Sequence, residues 1–494
     1  MNAVDAYAEL SRHLRRITAL EQVAGLLNWD QDTQMPPKGA AQRAEQAAAV
    51  AASLHALATD PRIPDWIEAS GPREGAAAVN LAEAARLHRR AVRVPALLAA
   101  DLATAAVEGQ SAWEAAREAA SFAAFAPALE RMVALKRAEA DCLAEAGRSG
   151  YDALLDDFEP GATATELEAL FGALRPGLAA LRARIGAAAR PIPVLAGRFP
   201  RERQLALARR IGDILGYDWQ AGRLDLAAHP SSNGGGGDVR ITTRVDEADP
   251  RECVYATMHE VGHAIYAQGL DPSLALLPAG AHASMGVHES QSRLFENQLG
   301  RSRAFCDWLY PALSDSFGAI GVEGPAELYR AVNAVETGFI RTDADEVHYN
   351  LHVMLRFDLE RSLIGGDLAV GDLEAAWNDR FLADFGRAVP DARRGVLQDV
   401  HWAVGLFGYF PTYTIGNVYA AELDIALRRD LPDLDARLAA GDFAPIVAWL
   451  GPRVHRRGRL LAPPALIAEA TGRKPDAATL LGSLEAKYDA LYGL

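Results

Sequence analysis

From residue 1 to about 190 the chain is a succession of alanine-rich amphipathic segments, among them "AAVNLAEAARLHRRAVRVPALLAADLATAA" and "PALERMVALKRAEADCLAEAG". Short Pro/Gly or acidic breaks separate them, so they read as packed helices. Alanine, leucine, glutamate and arginine dominate and half of all residues are hydrophobic, which drives the intrinsic preference toward helix. The expected fold class is therefore mostly α. The segments show no fixed internal period, so they do not describe a helical-repeat solenoid. At 494 residues the chain can bury a substantial core.

Charge and cysteine usage exclude several functions. Fifty Lys+Arg against 65 Asp+Glu leave a net charge of −15, which repels nucleic acid and anionic membrane surfaces. Cys142, Cys253 and Cys306 lie far apart with no C-x-x-C, as expected for thiols in a reducing compartment. The opening "MNAVDAYAELSRHLRR" has no apolar core of a secretory signal, and no run of ~18 apolar residues would span a bilayer. The expectation is a cytoplasmic protein with neither nucleic acid nor membrane as a partner.

Two stretches break the helical pattern. In "NWDQDTQMPPKGAAQRAEQ", Trp29, Asp30 and Gln31 precede a Met-Pro-Pro turn that no helix can continue through. Around residue 191, "RPIPVLAGRFP" marks a boundary or a long connection, dividing the chain into regions 1–190 and 191–494 of what is expected to be one continuous structural domain. Beyond it, the alternation in "DVRITTRV" predicts a strand, and hence a small β element beside the helices that follow. The run "NGGGGD" lacks the Gly-Lys-Ser/Thr ending of a phosphate loop and reads as a flexible surface turn.

The chemistry begins at "DPRECVYATMHEVGHAIYAQG". Asp249 is predicted as N-cap, Pro250 as the first helical residue and Glu252 as the partner in a capping box, with the helix ending near Gly269. Val254, Met258, Val261 and Ile265 fall on one side, and His259 and His263 fall together on the other. Imidazoles one turn apart can supply two ligands to one zinc ion, with Glu260 beside them able to work on a water. A catalytic metal needs a third protein ligand and an open position. Tyr266 and Gly269 stand where a metzincin would need glycine and histidine. A second helix-like segment, "HASMGVHESQSRLFENQLG", offers Glu289, Glu296, His282 and His288, and spacing alone does not separate His288 from Glu289.

These motifs resemble the carboxypeptidase Taq family of zinc metallocarboxypeptidases. "HEVGH" and "HESQSR" look like its metal motifs, "DVRIT" its D-x-R-x-T, "IRTDADE" its I-R-x-x-A-D-E, and "GVLQDVHW" its G-x-x-Q-D-x-H-W; "WDQDTQMPP" and "YDALLDDFEPG" also look like family segments. The resemblance implies that His259, His263 and Glu289 hold one zinc per chain, with cobalt or another divalent ion able to substitute, and that Glu260 is the general base and acid. It further implies a nearly all-helical fold with a deep active-site groove, the N-terminal helices overhanging it, a homodimer, and peptides with a free C-terminus as substrates.

Such a reaction needs a donor for the oxyanion, for which His401, Tyr409 and Tyr413 are candidates. It also needs a guanidinium for the terminal carboxylate, Arg341 first and Arg240 second. Structural ion pairs with Asp343, Asp345 or Asp238 are the competing role for these arginines. Asp238, Asp345 and Glu346 are expected to orient ligands rather than to bind metal. An endo-acting zinc oligopeptidase of the gluzincin type is the alternative function, and a non-catalytic peptide binder would have no need for Glu260.

Overall fold

The computed structural model describes residues 2–188 and 190–494. It divides into two compact units, each assembled from separate stretches of chain: Met1–Val92, Ile192–Val332 and Tyr419–Lys474 in one, Arg93–Pro191, Asn333–Val418 and Pro475–Leu494 in the other. The chain passes between units at Pro191 and Ile192, within the proline-rich stretch. As expected, the protein is mostly helical with one small sheet. Among the described residues, no helix is long and apolar enough to cross a membrane.

The first unit opens with a helix over Ala3–Thr33, capped by the Asn2 side chain, which accepts from the Asp5 N–H at 2.9 Å. It stops just before the Met-Pro-Pro sequence, so Trp29 lies in its last turns rather than in a loop. Near its start, Leu10 and Leu14 pack with Ile63, Trp66, Ala84 and Leu277. Toward its end the buried Trp29 ring is covered by the guanidinium carbons of Arg240 at 4.4 Å and Arg223 at 5.1 Å.

The sheet of this unit has strands β1 (Leu224–Leu226), β2 (Ser232–Gly235) and β3 (Asp238–Thr243) in the order β1-β3-β2. β1 runs parallel to β3 with Leu224 opposite Ile241, and β2 runs antiparallel with Gly235 opposite Asp238. The predicted strand is therefore present, but the glycine run is more than a surface turn. Gly234 and Gly235 belong to β2, and Gly236 and Gly237 make the hairpin turn. Gly234 has φ +108°, and a Cβ there would stand 2.0 Å from the Asp238 carbonyl oxygen, so the pairing requires glycine. Val239 and Ile241 are fully buried, and the Thr243 hydroxyl lies 3.2 Å from that of Thr257, joining the end of β3 to the histidine-bearing helix.

In the second unit, a helix over Glu346–Gly365 is buried along most of its length. Asp345 caps it, accepting from the N–H groups of Val347 and His348 at 2.9 and 3.0 Å. Around it pack Trp377, Phe381 and Phe385, the last two stacked at 4.1 Å.

Candidate metal centre

The histidine helix spans Arg251–Gln268, starting one residue later than predicted. Pro250 is its N-cap and has no side chain to offer. The Asp249 carboxylate accepts instead from the Arg251 N–H at 2.9 Å and is also paired with the Arg251 guanidinium, while Glu252 is drawn to Arg244 rather than back into a capping box. The segment after it forms a helix over Met285–Arg293, N-capped by Ser284, and continues as a π-helix over Leu294–Leu299.

These two helices meet at Gly262, inside the H-E-x-x-H stretch. A Cβ on Gly262 would lie 2.8 Å from both the Gln291 carbonyl oxygen and the Ser292 Cα, so the backbones touch there with no side chain between. That contact lets side chains one turn apart on the first helix reach Glu289 on the second. His259, His263 and Glu289 form a potential metal-holding group among the described residues.

Three atoms converge. His259 Nε2 and His263 Nε2 are 3.2 Å apart, and Glu289 Oε2 stands 3.7 and 3.4 Å from them. A tetrahedral ion with bonds of about 2.0–2.2 Å has edges of about 3.3–3.6 Å between ligand atoms, so the triangle fits. Two imidazoles and one carboxylate also suit a zinc-class ion better than calcium or magnesium, which favour all-oxygen sets.

Glu260 is buried beside the histidines. Burial pushes its carboxyl up and neighbouring Glu289 and Glu296 push the same way, which His259 and His263 only partly offset. Burial would also raise Glu289, but Arg293, whose Nε donates to Oε1 at 2.6 Å, and the two histidines bring it well below the usual carboxylate range.

The other residues proposed as ligands from the second segment occupy different places. Glu296 Oε2 lies 2.8 Å from Nδ1 of His259, on the side of the ring away from the triangle. His288 Nδ1 lies 2.6 Å from Nδ1 of His263. His282 packs edge-on against His288 at 5.2 Å.

Arg240 gives Nε and Nη2 to the two oxygens of Asp238 at 2.8 and 2.9 Å and stacks on Trp29, so Asp238 holds an arginine. In the second unit, Arg341 is buried. It donates Nε and Nη2 to Asp399 Oδ1 at 3.1 and 2.8 Å, and Nη1 to the Tyr349 hydroxyl at 3.0 Å. The buried Arg356 takes the other Asp399 oxygen, with Nε at 2.7 Å. His401 Nε2 is 3.1 Å from the Tyr413 hydroxyl, Tyr409 packs against both rings, and the Arg341 guanidinium lies 4.7 Å from the Tyr413 centroid. Burial lowers His401 to about 3 and Arg341 and Arg356 push the same way, so the ring is neutral despite Asp399. Asp345 takes His348 Nδ1 at 2.7 Å besides capping its helix, and Glu346 pairs with Lys487. Asp399 and Arg356 were not singled out from sequence, although Asp399 sits within "GVLQDVHW".

Comparison with known proteins agrees with this geometry. The model of the carboxypeptidase Taq (M32) metallopeptidase family matches residues 9–488. Thermostable carboxypeptidase 1 of Thermus thermophilus is 42% identical, with 99% of both chains covered, and carboxypeptidase 1 of Bacillus subtilis is 34% identical over 97% of both. Among solved structures, the M32 carboxypeptidase from Deinococcus radiodurans superposes with a TM-score of 0.95 at 39% identity, covering 99% of this chain and all of that one. Metallocarboxypeptidase 1 of Trypanosoma cruzi gives 0.95 at 33% identity over 98% and 99%. With a metal-fitting trio on two touching helices and relatives matched over nearly their whole length, the chain belongs to the carboxypeptidase Taq (M32) metallopeptidase family and is a metal-dependent peptide hydrolase of the carboxypeptidase class.

Proposed function

We propose that the chain is a zinc carboxypeptidase that removes C-terminal residues from peptides with broad specificity, holding one zinc through His259 Nε2, His263 Nε2 and Glu289 Oε2. The observation that carries this reading is the triangle of those three atoms with Glu260 buried next to it. A zinc-class ion bound there supplies Lewis acidity, making a water more acidic and a carbonyl more electrophilic. Cobalt or another divalent ion that accepts the same donors can take its place.

Glu260 is the proton carrier: its carboxylate takes the proton from the attacking water and returns it to the leaving amine. His401, Tyr409 and Tyr413 are the proposed donors to the developing oxyanion; the His401–Tyr413 hydrogen bond uses one proton of that pair, so one of the two keeps a proton to give.

Arg341 is the first choice for the substrate carboxylate. Asp399 and Tyr349 use three of the five N–H donors of its guanidinium, holding it in one orientation with donor capacity to spare. Arg240, set between Asp238 and Trp29, is the second. Asp238 would then act by orienting Arg240, and Asp345 and Glu346 by anchoring the helix that follows the Arg341 motif. The relatives' carboxypeptidase names do not favour the endo-acting alternative. A cytoplasmic setting is proposed from Cys142, Cys253 and Cys306 being thiols rather than disulfides, and a homodimer from the motif resemblance.

The test combines metal analysis with product identification by mass spectrometry. One zinc per chain and sequential loss of single C-terminal residues are expected, with both lost after chelation. Internal fragments as the main products would refute the carboxypeptidase reading.

A further inference from the structure

The two histidines of the triangle are backed by different partners. His259 Nδ1 faces Glu296 Oε2 at 2.8 Å. Arg293 Nη1 donates to that same oxygen at 3.2 Å, and Arg301 Nη2 donates to Oε1 at 3.3 Å, so Glu296 is held as a carboxylate. An ionised carboxylate only accepts hydrogen bonds. The proton of the His259 ring must therefore sit on Nδ1, leaving the Nε2 lone pair facing the triangle.

His263 Nδ1 faces His288 Nδ1 at 2.6 Å. Two ring nitrogens this close share one proton. If His263 is to offer Nε2, that proton is its own, and His288 accepts at Nδ1 while carrying its proton on Nε2. The ring of His288 is fixed for this by its contacts with Tyr266 and His282, at 5.3 and 5.2 Å between centroids.

Glu296 stands behind a ligand rather than among the ligands. Seven residues of α-helix rise ~10 Å, so Glu296 leaves the helix two turns beyond Glu289, and its carboxylate meets His259 at Nδ1 rather than at Nε2. Glu296 lies within the π-helical stretch Leu294–Leu299.

We propose that Glu296 and His288 are positioning residues that set which nitrogen His259 and His263 present to the metal, Glu296 through an ionised partner and His288 through a neutral one. The proposal rests on the zinc assignment made above. It further implies that the two are unequal, because a carboxylate raises the basicity of the ring it backs more than a neutral imidazole does.

The experiment is zinc affinity by chelator competition on the full chain, with the thermal midpoint of the metal-free protein as a control for folding. Glu296→Ala should weaken zinc binding about 10–100-fold. Glu296→Gln should recover part of that loss, since its amide oxygen still accepts from Nδ1, and His288→Phe should weaken binding by less than Glu296→Ala. A merely structural role predicts lowered midpoints with unchanged zinc affinity, and that result would overturn the proposal. So would a Gln variant no better than Ala. If Glu296→Ala does not fold because Arg293 and Arg301 each lose one of their partners, the Glu296→Gln and His288→Phe affinities decide, and wild-type values for both would refute it. A His263→Ala arm separates the two layers: wild-type zinc affinity there would refute the metal assignment itself.

Discussion

Gly262 is the position at which a single methyl group tests the architecture of the site. In Gly262→Ala the added Cβ would sit 2.8 Å from the Gln291 carbonyl oxygen, 2.8 Å from the Ser292 Cα and 3.1 Å from the Gln291 carbonyl carbon. All three are backbone atoms, so no rotamer change relieves them. Ordinary carbon contacts begin at about 3.5 Å, so the two helices must part by roughly 0.7 Å at the Ser292 Cα. Overpacking of this kind costs about 1–3 kcal/mol, and the upper part of that range applies because the obstacle is main chain. Replacing a helical glycine by alanine returns up to about 1 kcal/mol, leaving a net loss of roughly 1–2 kcal/mol. The functional effect is larger than the stability effect. Metal sites tolerate deviations of only about 0.2 Å, and the displaced helix carries both histidines away from Glu289. Zinc affinity should therefore fall in a variant that touches no ligand, while the protein remains folded. Urea denaturation of the metal-free protein and chelator competition measure the two effects. An alanine variant as stable as wild type and with undiminished zinc affinity would refute the claim that this contact sets the triangle.

Other perturbations separate the remaining roles. Glu260→Gln should keep the zinc and the fold while kcat falls at least about 10²–10⁴-fold, because an amide cannot carry the proton; near-normal turnover of a metal-loaded preparation would assign the base elsewhere. A peptide amidated at its C-terminus should be cut poorly, and Arg341→Ala should abolish most of the difference in kcat/KM between free and amidated ends, with Arg240→Ala as the parallel measurement; an unchanged ratio in both variants would remove both arginines from carboxylate recognition. Asp399→Asn leaves Arg341 and Arg356 buried without a counter-charge and should cost about 3–5 kcal/mol in denaturant unfolding. Arg341 and Arg356 hold the Asp399 carboxyl well below its ordinary value despite burial, so its contribution is present above the unfolded pKa of about 4 and is lost as pH falls below that toward the folded value. Wild-type stability should decline through that acid range more steeply than that of the variant, and parallel pH profiles would refute the assignment.

The sequence conveyed those features that repeat along one helix or one strand. Histidines at 259 and 263 declare a shared helical face because one turn separates them, and "DVRITT" declares a strand by its alternation. The helix start shifted by one residue because Asp249 is engaged by Arg251 and Glu252 by Arg244, neither of which capping rules consider. The sequence also did not distinguish His288 from Glu289. They are adjacent, about 100° apart on one helix, and both reach His263, Glu289 on its Nε2 side and His288 on its Nδ1 side.

Charge pairing was least legible of all. The ion pairs weighed for Arg341 were with acids near it in sequence, whereas its partner Asp399 lies 58 residues further along the chain. The same holds for units assembled from three separate stretches, since amphipathic periodicity states which face of a helix is buried without stating which helix covers it. Glu296 illustrates the deeper limit. In the sequence it is one more candidate ligand in the segment of Glu289, whereas in the structure it is the group behind His259. Nothing in "RLFENQLG" announces a widened turn, because helix propensity does not distinguish α from π. The place of the Glu296 side chain is made by tertiary fixtures: Arg293 and Arg301 pin the carboxylate, and His259 receives it. The group that backs His259 is thus placed by packing, although every residue that takes part in it is visible in the sequence.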